Sequence, residues 1–137
     1  MKASEVIQKK LVEAGGEVLI KLLNGDTCYF TRGGVDFFLC EKLPHQLVTF
    51  DIFDIVVDFL KNQKYGRAIK GGCRNSKVGK DKCGPETVMY AIATEYYGKE
   101  EGESSFDPLF VIAAVLDWAG IARNCRGYME LINPTIW

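Results

Sequence analysis

The stretch Glu17-Val18-Leu19-Ile20-Lys21-Leu22-Leu23-Asn24-Gly25-Asp26-Thr27-Cys28-Tyr29-Phe30-Thr31 decides the fold. Two runs rich in β-forming residues flank Asn24-Gly25, a pair that accepts positive backbone φ and is the strongest short-range hairpin signal a sequence offers. Glu17 to Leu23 and Thr27 to Thr31 therefore read as paired antiparallel strands. Gly33-Gly34 makes a second turn into Val35 to Glu41, and Gln46 to Phe50 extends the meander. Pro44 interrupts that run and marks a connection.

Working outward, the chain turns helical on both sides. Ser4 is placed to cap a first helix that carries Val6, Ile7, Leu11 and Val12 on one face and stops at Gly15-Gly16. Asp51 is placed to cap a second, from Ile52 to about Gln63. Its apolar stripe (Ile52, Ile55, Val56, Phe59, Leu60) faces a core, which assigns Asp54 and Asp58 to a solvated face rather than to a metal or acid–base pair. Gly84-Pro85-Glu86 opens a third helix that runs to about Tyr97 and stops at Gly98. Ser105 or Asp107, followed by Pro108, opens a fourth that reaches Ala119. Ile121 to Arg123 and Tyr128 to Ile132 pair as a last hairpin. The expected class is α+β, in one domain over 1–137: an N-terminal helix, a small antiparallel β-meander, three further helices and a C-terminal strand or hairpin.

The helix over 106–119 is apolar nearly all round. It must be buried on most sides, as the central core helix or in a homodimer interface. The 137 residues, 47% hydrophobic and 26% charged, have the composition of a globular protein with a real core. No apolar run reaches the roughly 18 residues of a membrane span. The start, Met1-Lys2-Ala3-Ser4-Glu5, carries no apolar signal core, so a cytoplasmic location without membrane contact is expected. Five scattered cysteines then read as reduced thiols. Cys73 and Cys83 are the closest pair. With no Cys-x-x-Cys and a single histidine, His45, loop or buried thiols are favoured over a zinc site, and neither a metal nor a cofactor is expected.

Charge is distributed unevenly. From Lys61 to Lys82 eight lysines and arginines face the single acid Asp81, a segment charge of +7, while the other positions hold nine basic and seventeen acidic residues, −8. One sign concentrated on an opposite background points to an anionic partner. The segment is a basic, glycine-containing loop at about 64–84, and loops of that length are functional or disordered. Lys64, Arg67, Lys70, Arg74, Lys77, Lys80 and Lys82 are candidate phosphate contacts, with Tyr65 available to stack on a base.

Several catalytic readings fail on spacing. In Gly71-Gly72-Cys73-Arg74-Asn75-Ser76-Lys77-Val78-Gly79-Lys80, Arg74 stands where a phosphate loop needs its first glycine, and Asp81 where it needs a hydroxyl. No Gly-x-Ser-x-Gly elbow exists, and one histidine cannot build His-rich nuclease chemistry. The stretch from Ala113 through Trp118-Ala119-Gly120-Ile121 to Arg126-Gly127-Tyr128-Met129 resembles the last helix and wing of a winged-helix domain. That resemblance, over about the last quarter of the chain, implies that Arg123 and Arg126 sit on the wing and touch a DNA backbone. The preceding helix departs from the pattern, since it lacks a basic face. The expectation is a small, non-catalytic, nucleic-acid-associated protein, DNA-binding and regulatory if the wing resemblance holds. The alternative is a protein-interaction or regulatory subunit whose basic loop docks on an acidic partner. An enzyme for a small anionic substrate would need a concave pocket where arginines and carboxylates converge.

Overall fold

Among the described residues, two antiparallel sheets and four α-helices share one continuous core. The computed structural model describes residues 1–43 and 47–137. The expected connection at Pro44, the histidine His45, and the Gln46 start of the fourth strand lie outside the described residues. Helix α1 (Ala3–Glu13) leads into β1 (Glu17–Lys21), β2 (Thr27–Arg32), β3 (Phe37–Cys40) and β4 (Val48–Thr49), which pair in sequence order as a meander. Lys21 faces Thr27 at the end of the first hairpin. Its turn is longer than a two-residue one: Gly25 N donates to Leu22 O at 3.0 Å and Leu22 N to Asp26 O at 2.7 Å, with Gly25 at φ +96. A type I turn followed by a left-handed residue is the usual three-residue solution, and glycine takes that position without a Cβ penalty.

Period-2 alternation puts Ile20, Cys28, Phe30, Phe38 and Cys40 inside. Phe30 is fully buried at the centre of an aromatic cluster, its ring 4.9 Å from Phe38, 6.2 Å from Phe53, 6.4 Å from Phe50 and 6.1 Å from Trp118. Phe53 belongs to α2 (Asp51–Lys61), which buries Ile52, Phe53, Val56, Val57 and Leu60. The aromatic contacts thus join the first sheet to α2 and the C-terminal half.

Neither expected N-terminal cap forms. Asp51 is the first residue of α2 and its carboxylate accepts from the Thr49 hydroxyl instead. Ser4 lies inside α1, buried, and its backbone N and Oγ donate to the two oxygens of Asp54 at 2.9 and 2.6 Å. Asp54 is therefore not on a solvated face. It supplies from α2 the acceptor and the negative charge that the first turn of α1 needs. Local spacing cannot show this cap because it crosses fifty residues of sequence. Replacing Asp54 with alanine is expected to cost about 1–2 kcal/mol, the worth of a good N-cap. Asp58→Ala, at an exposed site on the same helix, should change stability by less than about 0.5 kcal/mol. Urea unfolding of the two variants compares them directly.

The third helix is α3 (Val88–Ala91), continued by a π-helical turn over Ile92–Tyr96 and ended at Gly98 with φ +66. Its cap is Thr87, whose Oγ1 accepts from Tyr90 N at 3.2 Å, so Pro85 and Glu86 precede the helix rather than open it. Helix α4 (Leu109–Trp118) begins where Asp107 accepts from Leu109 N at 3.1 Å. All of Leu109 and Val111 to Leu116 are buried, against β1 on one side and β6 (Ala122–Asn124) on the other. The apolar helix is the central core helix of the chain, and Phe110 is its one large apolar side chain left exposed.

The C-terminal hairpin of β6 and β7 (Tyr128–Leu131) forms as expected, and a third strand joins it from inside the basic run. This is β5 (Arg67–Ile69), which pairs with β7 to give the order β5-β7-β6. A helix followed by a hairpin is thus present where the wing resemblance placed them. The helix is not free to enter a DNA groove, because most of its side chains are buried in the core.

Candidate anion-binding cleft

The run 64–84 is folded rather than loose. After β5 the chain makes a knot of short-range bonds: Gly72 N to Lys82 O at 3.0 Å, Gly79 N to Cys83 O at 2.8 Å and Lys80 N to Lys77 O at 3.0 Å. Val78 anchors it in the core, fully buried. Cys73 and Cys83 are disulfide-bonded, with Cα atoms 5.7 Å apart. The expectation of reduced thiols is corrected for this pair, which the Gly72–Lys82 bond sets side by side at a Cα separation a disulfide spans, while Cys28, Cys40 and Cys125 are free thiols. The polar segment after α3 docks on this knot through Val78 N to Glu103 O at 3.0 Å and Gly102 N to Val78 O at 2.8 Å, and Lys77 Nζ donates to Ser104 Oγ. Glu100, Glu101 and Glu103 thereby sit beside the +7 segment and offset part of its field.

The nine candidate cations do not act as one surface. Arg67 and Arg123 lie on the outer face of the second sheet, both opposite Glu130. The Arg67 guanidinium stacks 3.9 Å from the Tyr128 ring centroid, and Arg123 Nη1 pairs with Glu130 Oε1 at 3.2 Å. Lys64 lies over the Tyr65 ring. Lys80 and Lys82 are exposed. Lys70, Arg74 and Arg126 come together around a cleft of about 550 Å3, whose other polar walls include Asn24, Asn124 and Asp107, and whose apolar walls include Leu22, Leu23 and Phe110.

Each member of the cleft is positioned by a separate segment. Lys70 follows β5 directly, its N–H donating to Gly127 O and its carbonyl accepting from Met89 N, both at 2.9 Å. Its ammonium is half-buried and donates to Asn124 Oδ1. Burial lowers the Lys70 pKa below the ordinary lysine value, and the neighbouring Cys125 opposes that shift in part. Asn124 is fixed by its own N–H, which donates to Asp117 Oδ2 at 2.8 Å. Arg74 follows the disulfide-bonded Cys73, whose N–H donates to Asp107 Oδ2 at 2.9 Å. Asp107 therefore spends one oxygen on Cys73 and the other on the start of α4. Its role in the cleft is to hold the walls together.

Sequence reasoning placed Lys70, Arg74 and Arg126 among its candidates but missed Asn124, Phe110 and the Leu22-Leu23 wall. A polar residue between Arg123 and Cys125 in an otherwise alternating strand was the available signal for Asn124. It also missed a cluster at the ends of β2 and β3, formed by Cys28, Cys40 and Glu41. There burial, reinforced by Cys40, pushes the Cys28 thiol up to about 12, so Cys28 is not a poised nucleophile. Among the described residues no helix is long and apolar enough to cross a membrane. No protein-family model matches the chain, and no curated protein or solved structure shows significant similarity to it.

Proposed function

We propose that the protein associates with nucleic acid without catalysing a reaction on it, and that it holds phosphates of a single strand in the cleft of Lys70, Arg74 and Arg126. The observation that carries this reading is Lys70: a half-buried cation whose partner is an amide oxygen, in a chain whose one ion pair among the described residues is Arg123–Glu130. A desolvated ammonium without a counter-charge is costly, and a phosphate oxygen between Lys70 and the two arginines would offset that cost. Phe110, 42% exposed at the rim, supplies the apolar surface on which a base stacks. A duplex would need a helix or ribbon projecting into its groove, and α4 is buried, which favours a splayed single strand. Asp107 accepts one backbone N–H on each oxygen, which supports a structural role for it in this reading.

Fluorescence anisotropy with labelled single-stranded and duplex oligonucleotides, across a salt series, tests the reading. Three phosphate contacts predict a slope of log K against log salt near −2 for a single strand, at about 0.7 per contact. The triple variant Lys70→Ala/Arg74→Ala/Arg126→Ala should bind roughly a hundredfold more weakly, and Lys80→Ala/Lys82→Ala close to normally. Affinity should also fall as pH rises through the lowered Lys70 pKa, before ordinary lysines deprotonate. Undiminished binding by the triple variant would sink the proposal.

A second reading, a protein-interaction subunit, draws on the outer face of the first sheet. Leu19, Tyr29 and Leu39 run across β1, β2 and β3, each about half exposed. Absence of nucleic-acid binding at low salt would favour it. Docking of the remaining basic residues on an acidic partner belongs to these proposals, as does a cytoplasmic location, against which the Cys73–Cys83 bond counts.

A further inference from the structure

Away from the cleft, β2 and β3 end in a second convergence of chemistry. Cys28 and Cys40 lie on the inner face of the first sheet, 1% and 8% exposed. The exposed Glu41 folds its carboxylate back over β2 and accepts from Tyr29 N at 2.8 and 3.1 Å. The two Sγ atoms and a Glu41 oxygen all lie within 4.8 Å of one another.

Strand register explains why the two thiols meet and yet are poorly placed to bond to each other. Cys40 stands opposite Phe30, and Cys28 lies two residues further along β2, a diagonal neighbour. Diagonal positions on paired strands are about 7–8 Å apart. A disulfide needs Cα atoms within about 6.8 Å, so direct oxidation of this pair requires the backbone to shift. An ion between the groups fits better. With metal–sulfur distances of about 2.3 Å and a metal–oxygen distance of about 2.0–2.2 Å, a tetrahedral ion sets its ligand atoms roughly 3.5–4 Å apart.

The segment after β3 adds support. Leu43 N donates to Cys40 O at 2.9 Å, closing a turn directly after β3 that fixes the Cys40 backbone. A backbone held on both sides of a ligand restricts where its side chain can reach, which helps to orient it toward an ion. We propose that Cys28, Cys40 and Glu41 bind one thiophilic divalent cation of the zinc class, with a fourth coordination position open on the exposed Glu41 side. Binding replaces two S–H bonds with two metal–sulfur bonds and releases two protons to the buffer. Thiolate ligands select zinc-like ions over magnesium or calcium, and a single carboxylate does not change that preference.

The test is titration of Cd2+ alone into the full chain carrying Cys125→Ser, without thiol reductant, so that the Cys73–Cys83 bond stays closed. A cadmium–thiolate band should saturate at one ion per chain and be displaced by Zn2+, and Zn2+ should raise Tm. Glu41→Gln, at an exposed position, should weaken the ion at least about tenfold. Cys28→Ser should abolish the band. Because that variant removes a buried group, alkylation of the unsubstituted protein provides a second readout, in which Zn2+ protects Cys28 and Cys40. No band, a band that survives Cys28→Ser, unchanged affinity in Glu41→Gln, or spontaneous formation of a Cys28–Cys40 disulfide in air would overturn the proposal.

Discussion

Phe30→Ala is expected to destabilise the protein by about 3–5 kcal/mol, the range for truncating a fully buried phenylalanine. The ring is fully buried and meets Phe38, Phe50, Phe53 and Trp118, so its loss opens a cavity bounded by four aromatic side chains. Those neighbours come from β3, the start of α2, α2 itself and the end of α4. They are anchored by separate backbone elements and cannot all collapse into the space, which places the cost toward the upper end. For a chain of this size the loss corresponds to a fall in Tm of roughly 10–20 °C. Urea unfolding should show a lower midpoint with an unchanged slope. Tyr29→Ala, one residue away on the outer face and half exposed, should cost less than about 1 kcal/mol. Equal losses at the two positions would contradict the alternation of β2.

Gly71→Ala is the second large effect, and it reaches the cleft. Gly71 has φ +68, a conformation that costs an L-residue about 1–2 kcal/mol. An added Cβ would also stand 2.5 Å from Thr87 Cβ and 2.6 Å from Lys82 O. Neither neighbour yields easily. Thr87 is buried, donates to Gly84 O at 2.8 Å and caps α3, and Lys82 O accepts from Gly72 N. The expected total is about 2–4 kcal/mol, from strain plus overpacking. Lys70 and Arg74 flank the glycine, so the backbone shift that relieves the overlap moves both cations. Oligonucleotide affinity should therefore drop at temperatures where circular dichroism still reports a folded chain. A Gly71→Ala variant with normal stability and normal binding would contradict this account of how the knot holds Arg74.

Much of the architecture was legible because it depends on local periodicity. Asn24-Gly25 between two β-forming runs announced the first hairpin, and the 3.6-residue stripe of Ile52, Val56 and Leu60 announced α2. The unbroken apolar run from Leu109 to Leu116 required a helix buried on most sides. What local pattern could not show was where polar groups find partners across the chain. Asp54 looked like a solvated acid because its partner, the first turn of α1, is fifty residues away. The basic run looked like an open loop because its anchors (Val78 in the core, the Cys73–Cys83 bond, the Glu103 backbone) are either single residues or distant ones. Three residues of that run form β5, whose pairing with β7 spans some sixty residues.

By itself the sequence determined the α+β class, most of the order of its elements and the concentration of positive charge in one segment. These follow from alternation, helical spacing, turn chemistry and net charge, all properties of neighbouring residues. Only the tertiary structure decided which cations can act together. Arg67 and Arg123 face Glu130, and Lys77 faces Ser104, whereas Lys70, Arg74 and Arg126 meet over Asn124 between two sheets. Likewise it brought Cys28 and Cys40, twelve residues apart, to one end of a strand pair. The physical reason is that a binding site is a property of distances in space. Those distances are set by which apolar faces the core buries, and charge spacing along the chain carries no record of that choice.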